Sequence, residues 1–216
     1  VSQVNNNRMV ILLIAGIPLT MILAATWLWY FVVRGDIDLI GTLGTANRGD
    51  LVQPPRQIAE AGLIKVDGSA FRFQELDPKW SFVIPNQGAR CAAECEHLLY
   101  TARQIHMAMG KELLRIQRFY VGTQQLSDTQ FEVAELSDQH PLPGTFKDYL
   151  ATEQIGLQAL RASPEEFDKL FAEHLQAEDT WYLMDPAGWI MMSYNNSVSY
   201  KDVIADLKFL LKNSSD

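Results

Sequence analysis

A chain of 216 residues with 48% apolar side chains is long enough for one ordinary domain plus an appendage, and too apolar to be disordered. Its formal charge is −8, and from residue 34 onward 26 acidic residues stand against 17 basic ones, with no basic run. So acidic a surface repels a phosphate backbone and excludes nucleic acid as the partner.

Residues 1–8 form a short polar tail with one charge, Arg8, and residues 9–33 carry none. At a rise of 1.5 Å per residue that run outspans a hydrocarbon core of roughly 30 Å, which predicts a transmembrane helix. Pro18 is tolerated in such a helix when the freed carbonyl finds a partner. Trp27, Trp29 and Tyr30 cluster at its far end, where amphipathic rings favour the lipid–water interface. The run is too long for a signal-peptide core, no small-x-small cleavage motif follows, and no cysteine is there to take lipid, so an uncleaved anchor is expected. Arg8 is balanced by Arg34, closely followed by Asp36 and Asp38; the tail without acids favours N-in, with the large domain outside. In a bacterium that means the inner (cytoplasmic) membrane, with the domain in the periplasm.

Residues 34–62 contain Gly and Pro without a sustained period and read as an extended linker. The folded domain is expected over residues 63–216. It opens with two short strands, 63–66 and 70–73, around an Asp67-Gly68 turn. Residues 79–85 are short, apolar and β-rich, as a buried central strand is. A helix is predicted from Cys91 to about Leu114, with Leu98, Ala102, Ile105 and Met109 at helical spacing, and a strand over 117–121. Residues 131–136 read as a further strand, and 146–159 and 163–175 as helices. The second of these starts with Ser163 as cap, Pro164 at the first position and acids in the first turn. Residues 180–184 and 189–194 flank an Asp185-Pro186-Ala187-Gly188 turn and predict a hairpin; residues 199–211 form an amphipathic helix. Hairpin, strand, Cys-bearing helix, strand, helices, hairpin, helix is an α/β order of thioredoxin-like topology.

Both cysteines lie in one pentapeptide, Cys91-Ala92-Ala93-Glu94-Cys95. A strand-to-helix junction offers N–H groups and a dipole to a Cys91 thiolate, and a second cysteine one turn along, about 6 Å away between α-carbons, suits either a disulfide or two thiolates on one soft metal ion. Beside that stands a structural disulfide or a pair of idle buried thiols, although a five-residue loop gains little from cross-linking. Glu94, Glu96, Asp128, Glu132 and Glu135 show no paired-carboxylate spacing, and there is no Ser/His/Asp signature, phosphate loop or zinc-type spacing. His97 lies off the cysteine face, His106, Met107 and Met109 read as helix packing, and His140 as a loop residue. Trp181, Tyr182, Trp189 and Tyr194 alternate along the last hairpin, so that one face packs in the core.

The chain resembles the Sco (SenC-type) proteins, membrane-anchored thioredoxin-fold factors of cytochrome c oxidase assembly that bind copper. The likeness spans about residues 63–211 and is carried by Val66-Asp67-Gly68, by Lys79-Trp80-Ser81-Phe82-Val83-Ile84, by the Cys-x3-Cys pair and by Tyr182-Leu183-Met184-Asp185-Pro186-Ala187-Gly188. The 49–55 stretch is similar to that of small Sco-related proteins. The resemblance implies that Cys91 and Cys95 are Cu(I) ligands or a redox dithiol, that a ligating His precedes the 182–188 hairpin, and that oxidase subunits or other assembly factors are partners. That His position falls near Ala177 or Glu178; the nearest histidine is His174, which reads as a solvated helix-end residue or, if its helix ends beside the dithiol, as the candidate third ligand. Glu96 stands where the family has a Pro, and no Pro precedes Thr180 where a thioredoxin reductase would have one. The chain therefore reads as a divergent Sco-like protein. Two alternatives stay open: a scaffold whose site has decayed, and a membrane-tethered thiol–disulfide oxidoreductase.

Overall fold

The computed structural model describes residues 2–33 and 47–214, which fall into two compact units divided at residue 46. The first contains helix α1 (Ser2–Val33), which runs unbroken through Pro18. Its Met9–Phe31 stretch, with a mean hydropathy of 2.4, is long and apolar enough to cross a membrane. Thr20 and Thr26 turn their hydroxyls back onto the carbonyls of Ile17 and Ile22, at 2.9 and 2.8 Å, so neither leaves a free donor on that surface.

The second unit is a seven-stranded mixed sheet covered on both faces. Its strands are β1 (Asp50–Gln57), β2 (Ile64–Lys65), β3 (Trp80–Asn86), β5 (Ile116–Gly122), β7 (Leu157–Arg161), β8 (Trp181–Met184) and β9 (Trp189–Tyr194), in the spatial order β1-β9-β8-β3-β5-β7-β2. β3, β5 and β7 are parallel neighbours, and the remaining pairs are antiparallel. A separate two-stranded parallel ladder joins β4 (Arg90–Cys91) to β6 (Gln130–Phe131). The helices are α2 (Ala93–Ala108), α3 (Phe146–Glu153), α4 (Pro164–Leu170) and α5 (Tyr200–Asn213).

The pleat sorts the apolar side chains into two cores. Phe82, Ile84, Tyr120 and Leu183 face α2, α3 and α5, packing on Leu98, Leu99, Ala102, Tyr149 and Leu207. Val83, Phe119, Val121 and Tyr182 face the other way, onto Phe167 of α4, Phe171 and the 58–73 segment. A bulge in the last hairpin, where Leu183 pairs with Met192 but Met184 with Ile190, switches the parity. It sends Met192 to the first core and Ile190 to the second.

Several sequence expectations change. Residues 34–46 of the expected linker lie outside the described residues; residues 50–57 are not linker but the edge strand β1, paired with β9. The first hairpin shrinks to the two residues of β2 and a single bridge from Ile64 to Ala70, because β2 spends its other edge on β7. The helix expected over 146–159 ends at Glu153. Gly156, at φ +81°, turns the chain, and Leu157–Arg161 becomes a parallel strand on β5. A short apolar run carries no periodicity that separates helix from strand, so the pairing decides. Of the strand expected over 131–136 only Phe131 is paired. The predicted long helix ends at Ala108, followed by a 3-10 stretch Gly110–Arg115. In the last hairpin Gly188 has φ +90°, a conformation that L side chains rarely adopt, and a Cβ there would also crowd the Phe73 ring at 3.0 Å, so glycine is favoured. Trp181 and Tyr194 stack at 4.9 Å inside the core, Tyr182 is buried on the opposite face, and Trp189 is the one exposed aromatic of that group.

Candidate functional site

β3 ends at Asn86 and delivers the chain, through the 87–89 loop, to β4 and then to α2. Cys91 is therefore a strand residue, held by its carbonyl accepting from Glu132 N at 3.0 Å, and fully buried. Cys95 lies in the first turn of α2. The two form a disulfide with 5.2 Å between α-carbons. Ala92 caps α2 without a side-chain hydrogen bond, so the N–H groups of that turn keep their partial positive charge beside the sulfurs. Cys95, unlike Cys91, lines an open cleft of about 500 Å³, together with Arg90, Glu94, Glu132, His174 and Glu178.

His174 thus shares the cleft with Cys95, across a separation of 79 residues. It is not a solvated helix-end residue, since only 5% of its surface is exposed. The turn after α4 folds back beneath β8: His174 N donates to Tyr182 Oη at 3.0 Å, and Tyr182 Oη donates to Glu173 Oε2 at 3.0 Å. Glu173 is clasped by Arg56 of β1, whose other guanidinium nitrogen reaches Leu170 O at 2.7 Å. Burial pushes the Glu173 carboxyl up, but the Arg56 and Tyr182 hydrogen bonds outweigh it and hold the group below the usual carboxylate range. No sequence reading pointed to Arg56, Glu173 or Tyr182 as supports for His174. Arg56 is 117 residues from Glu173, and no local pattern encodes that distance.

The imidazole itself is tautomerically defined. Nδ1 lies 2.9 Å from Thr180 O, and a carbonyl can only accept, so Nδ1 carries the proton. Nε2 then presents a lone pair, and among the described residues it has no hydrogen-bond partner. Burial depresses the pKa of His174 and so favours its neutral form. A neutral imidazole anchored through Nδ1–H to a carbonyl is the form in which histidine binds metals. The trio whose donor atoms all lie within 4.8 Å among the described residues is a different one, Asp138, His140 and Glu153. Arg103 already bridges its two carboxylates.

The remaining sequence candidates lie elsewhere. His97 is exposed, 3.4 Å from Ser137 Oγ. His106 is bonded through Nε2 to Leu113 O at 2.9 Å, toward the far end of α2. Met109 packs in the core as expected, whereas Met107 is 62% exposed and fills no gap.

Burial also depresses His106. Both imidazoles therefore take up protons more readily in the unfolded chain than in the folded one. Their contribution to stability is fully present above the ordinary value of 6.5 and is lost as the pH falls through it toward the lower folded values. Melting at about pH 7.5 and about pH 5.5 is expected to show a lower Tm at the acid value, with the difference reduced in His174→Asn. Asp138 and Glu173, with pKa values held low, titrate below this window. A Tm unchanged between the two pH values rules this account out.

A family model described as "Transmembrane-like, thioredoxin-like, C-terminal domain" matches residues 80–142 and 134–214. No curated protein matches in sequence. Among solved structures the fold is similar to yeast Sco1 with copper bound, at 16% identity and a TM-score of 0.52, covering 80% of this chain and 97% of that one. A second yeast Sco1 structure gives 15% identity and a TM-score of 0.52, covering 76% of this chain and 99% of the other. At that identity the likeness establishes the architecture, a Sco-like thioredoxin fold, and the chemistry is argued from the residues themselves.

Proposed function

We infer, since the chain belongs to the transmembrane-like, thioredoxin-like C-terminal domain family, that it is a membrane-anchored assembly factor handling Cu(I), or the thiols of a copper protein, through Cys91 and Cys95 with His174 as the third donor. The observation that carries this reading is the common cleft, which Cys95 at the uncapped start of α2 lines together with an Nδ1-anchored histidine. Two thiolates and one imidazole form a donor set of the softness Cu(I) takes. The similar yeast Sco1 structure has copper bound, and the resemblance to Sco proteins supplies the process, cytochrome c oxidase biogenesis. By the same reasoning the Met9–Phe31 helix would hold the domain at the periplasmic face of a bacterial inner membrane.

Copper is cargo here, and the disulfide must open before the sulfurs can hold it. A donor thiolate attacks the Cys95 sulfur, a new bond forms between them, and Cys91 leaves as thiolate and takes a proton. The donor's second thiol then displaces Cys95, so that two electrons pass from a dithiol partner to the Cys91/Cys95 pair.

The test is Cu(I) titration of the reduced full-length protein in detergent against a competing chelator. One-to-one binding is expected, lost in Cys91→Ser and Cys95→Ser and weakened at least about tenfold in His174→Ala. No binding by the fully reduced protein overturns the copper reading and leaves thiol exchange or scaffolding.

A further inference from the structure

Where β2 closes one edge of the sheet against β7, a second cleft of about 410 Å³ opens between the 66–68 turn, residues 124–127 and the start of α3. Lys65, Lys147 and Arg161 line it, against one carboxylate, Asp67. That carboxylate is engaged by Ser69, accepting from its N–H at 2.9 Å and from its hydroxyl at 2.6 Å. Arg161 is half-buried, and among the described residues neither it nor Lys147 has a side-chain hydrogen-bond or ion-pair partner. Every other arginine of residues 47–214 has a carboxylate or carbonyl beside it. In a chain with eight more negative than positive charges, the fold has gathered three cations into one concavity and left a guanidinium there unmatched.

We propose that this cleft binds a phosphate-bearing anion. A guanidinium offers two parallel donors to phosphate oxygens, and lysines act as point charges around them. Gln124 and Gln125 also line the wall, and a glutamine side chain carries a neutral amide donor. Three cations against one carboxylate leave two positive charges, which match a phosphate monoester near neutral pH, and the volume is that of a small-ligand site. A soluble phosphate monoester matches both charges, and a phospholipid headgroup, a phosphodiester, presents the same phosphate oxygens with one negative charge.

The experiment uses the full-length protein in neutral phosphatidylcholine nanodiscs, titrated calorimetrically with inorganic phosphate. Saturable one-to-one binding is expected, weakening as salt rises and reduced about tenfold or more by Arg161→Gln and by Lys147→Glu. Asp67→Asn should tighten it, and Arg161→Lys should retain part of it. Among the described residues the Arg161 and Lys147 side chains have no hydrogen-bond or ion-pair partner to lose, so an unchanged Tm without phosphate confirms that these variants are folded. Dihexanoyl phosphatidylglycerol, below its micelle concentration, and glycerol 3-phosphate serve as competitors. Stronger displacement by the lipid assigns a headgroup, and equal displacement assigns a soluble ester; both support the site. Absence of saturable phosphate binding, undiminished binding in Arg161→Gln, or binding of an oligoglutamate peptide in place of phosphate overturns it.

Discussion

With Cys91 changed to serine, the remaining Cys95 is expected to react with a disulfide reagent at least about tenfold faster than Cys91 does in the Cys95→Ser protein. Expectation from position alone runs the other way, because in a strand-to-helix junction the first cysteine is the one placed to meet the helix dipole. Here the ladder of β4 with β6 draws Cys91 into the core, where none of its surface is exposed. Cys95, at 8%, lines the cleft and sits inside the first turn of an uncapped helix, so access and thiolate stabilisation fall on the same sulfur. The measurement is a stopped-flow trace with Ellman's reagent on the two reduced single-cysteine proteins in detergent. Equal rates mean that β4 opens in solution and exposes both sulfurs, and a faster Cys91 means that the sulfur reaching the partner is Cys91.

The second large effect concerns Glu96, where the Sco resemblance expects proline. Glu96→Ala should destabilise the domain by roughly 3 kcal/mol, the order expected when several buried donors lose one charged acceptor. Glu96 is 3% exposed. It accepts from Ser137 N at 3.2 Å, from Ser137 Oγ at 2.6 Å and from Tyr149 Oη at 3.3 Å. Tyr149 in turn accepts from Gln154 Nε2 at 3.0 Å, and Gln154 Oε1 accepts from the buried Arg118 at 2.7 Å. A continuous chain of hydrogen bonds therefore runs from a buried cation on β5 to a buried anion one residue from Cys95. Burial and the Glu96 charge both push the Tyr149 phenol up, and burial depresses Arg118 to about 10. Proline at position 96 could make none of these bonds; here the loop after β6 is tied down by a side chain. Chemical denaturation of Glu96→Ala, Glu96→Gln and the exposed Glu94→Ala checks this. The order expected is a large loss, a smaller loss and little change. A Glu96→Ala protein as stable as the parent removes the chain from the account of this fold.

What was legible in the sequence follows from short-range rules. The apolar run of residues 9–33, the buried β3 segment, the Ser163 cap, the amphipathic helix from residue 199 and the Asp185–Gly188 turn each depend on neighbours a few residues away, and each stands where it was expected. The Cys-x3-Cys pair was visible for the same reason, as was the thioredoxin-like order of elements. What the tertiary structure alone decided was pairing over long separations. Residues 50–57 read as linker, with prolines and no period, until β9 offers them an edge; residues 157–161 read as helix until β5 offers a parallel partner. His174 meets the cysteine cleft, and Arg161 meets Lys147, only because the sheet brings those segments together. Sequence periodicity reports which face of an element is apolar. It carries no information about which distant element will cover that face, or which polar side chains will meet at its rim.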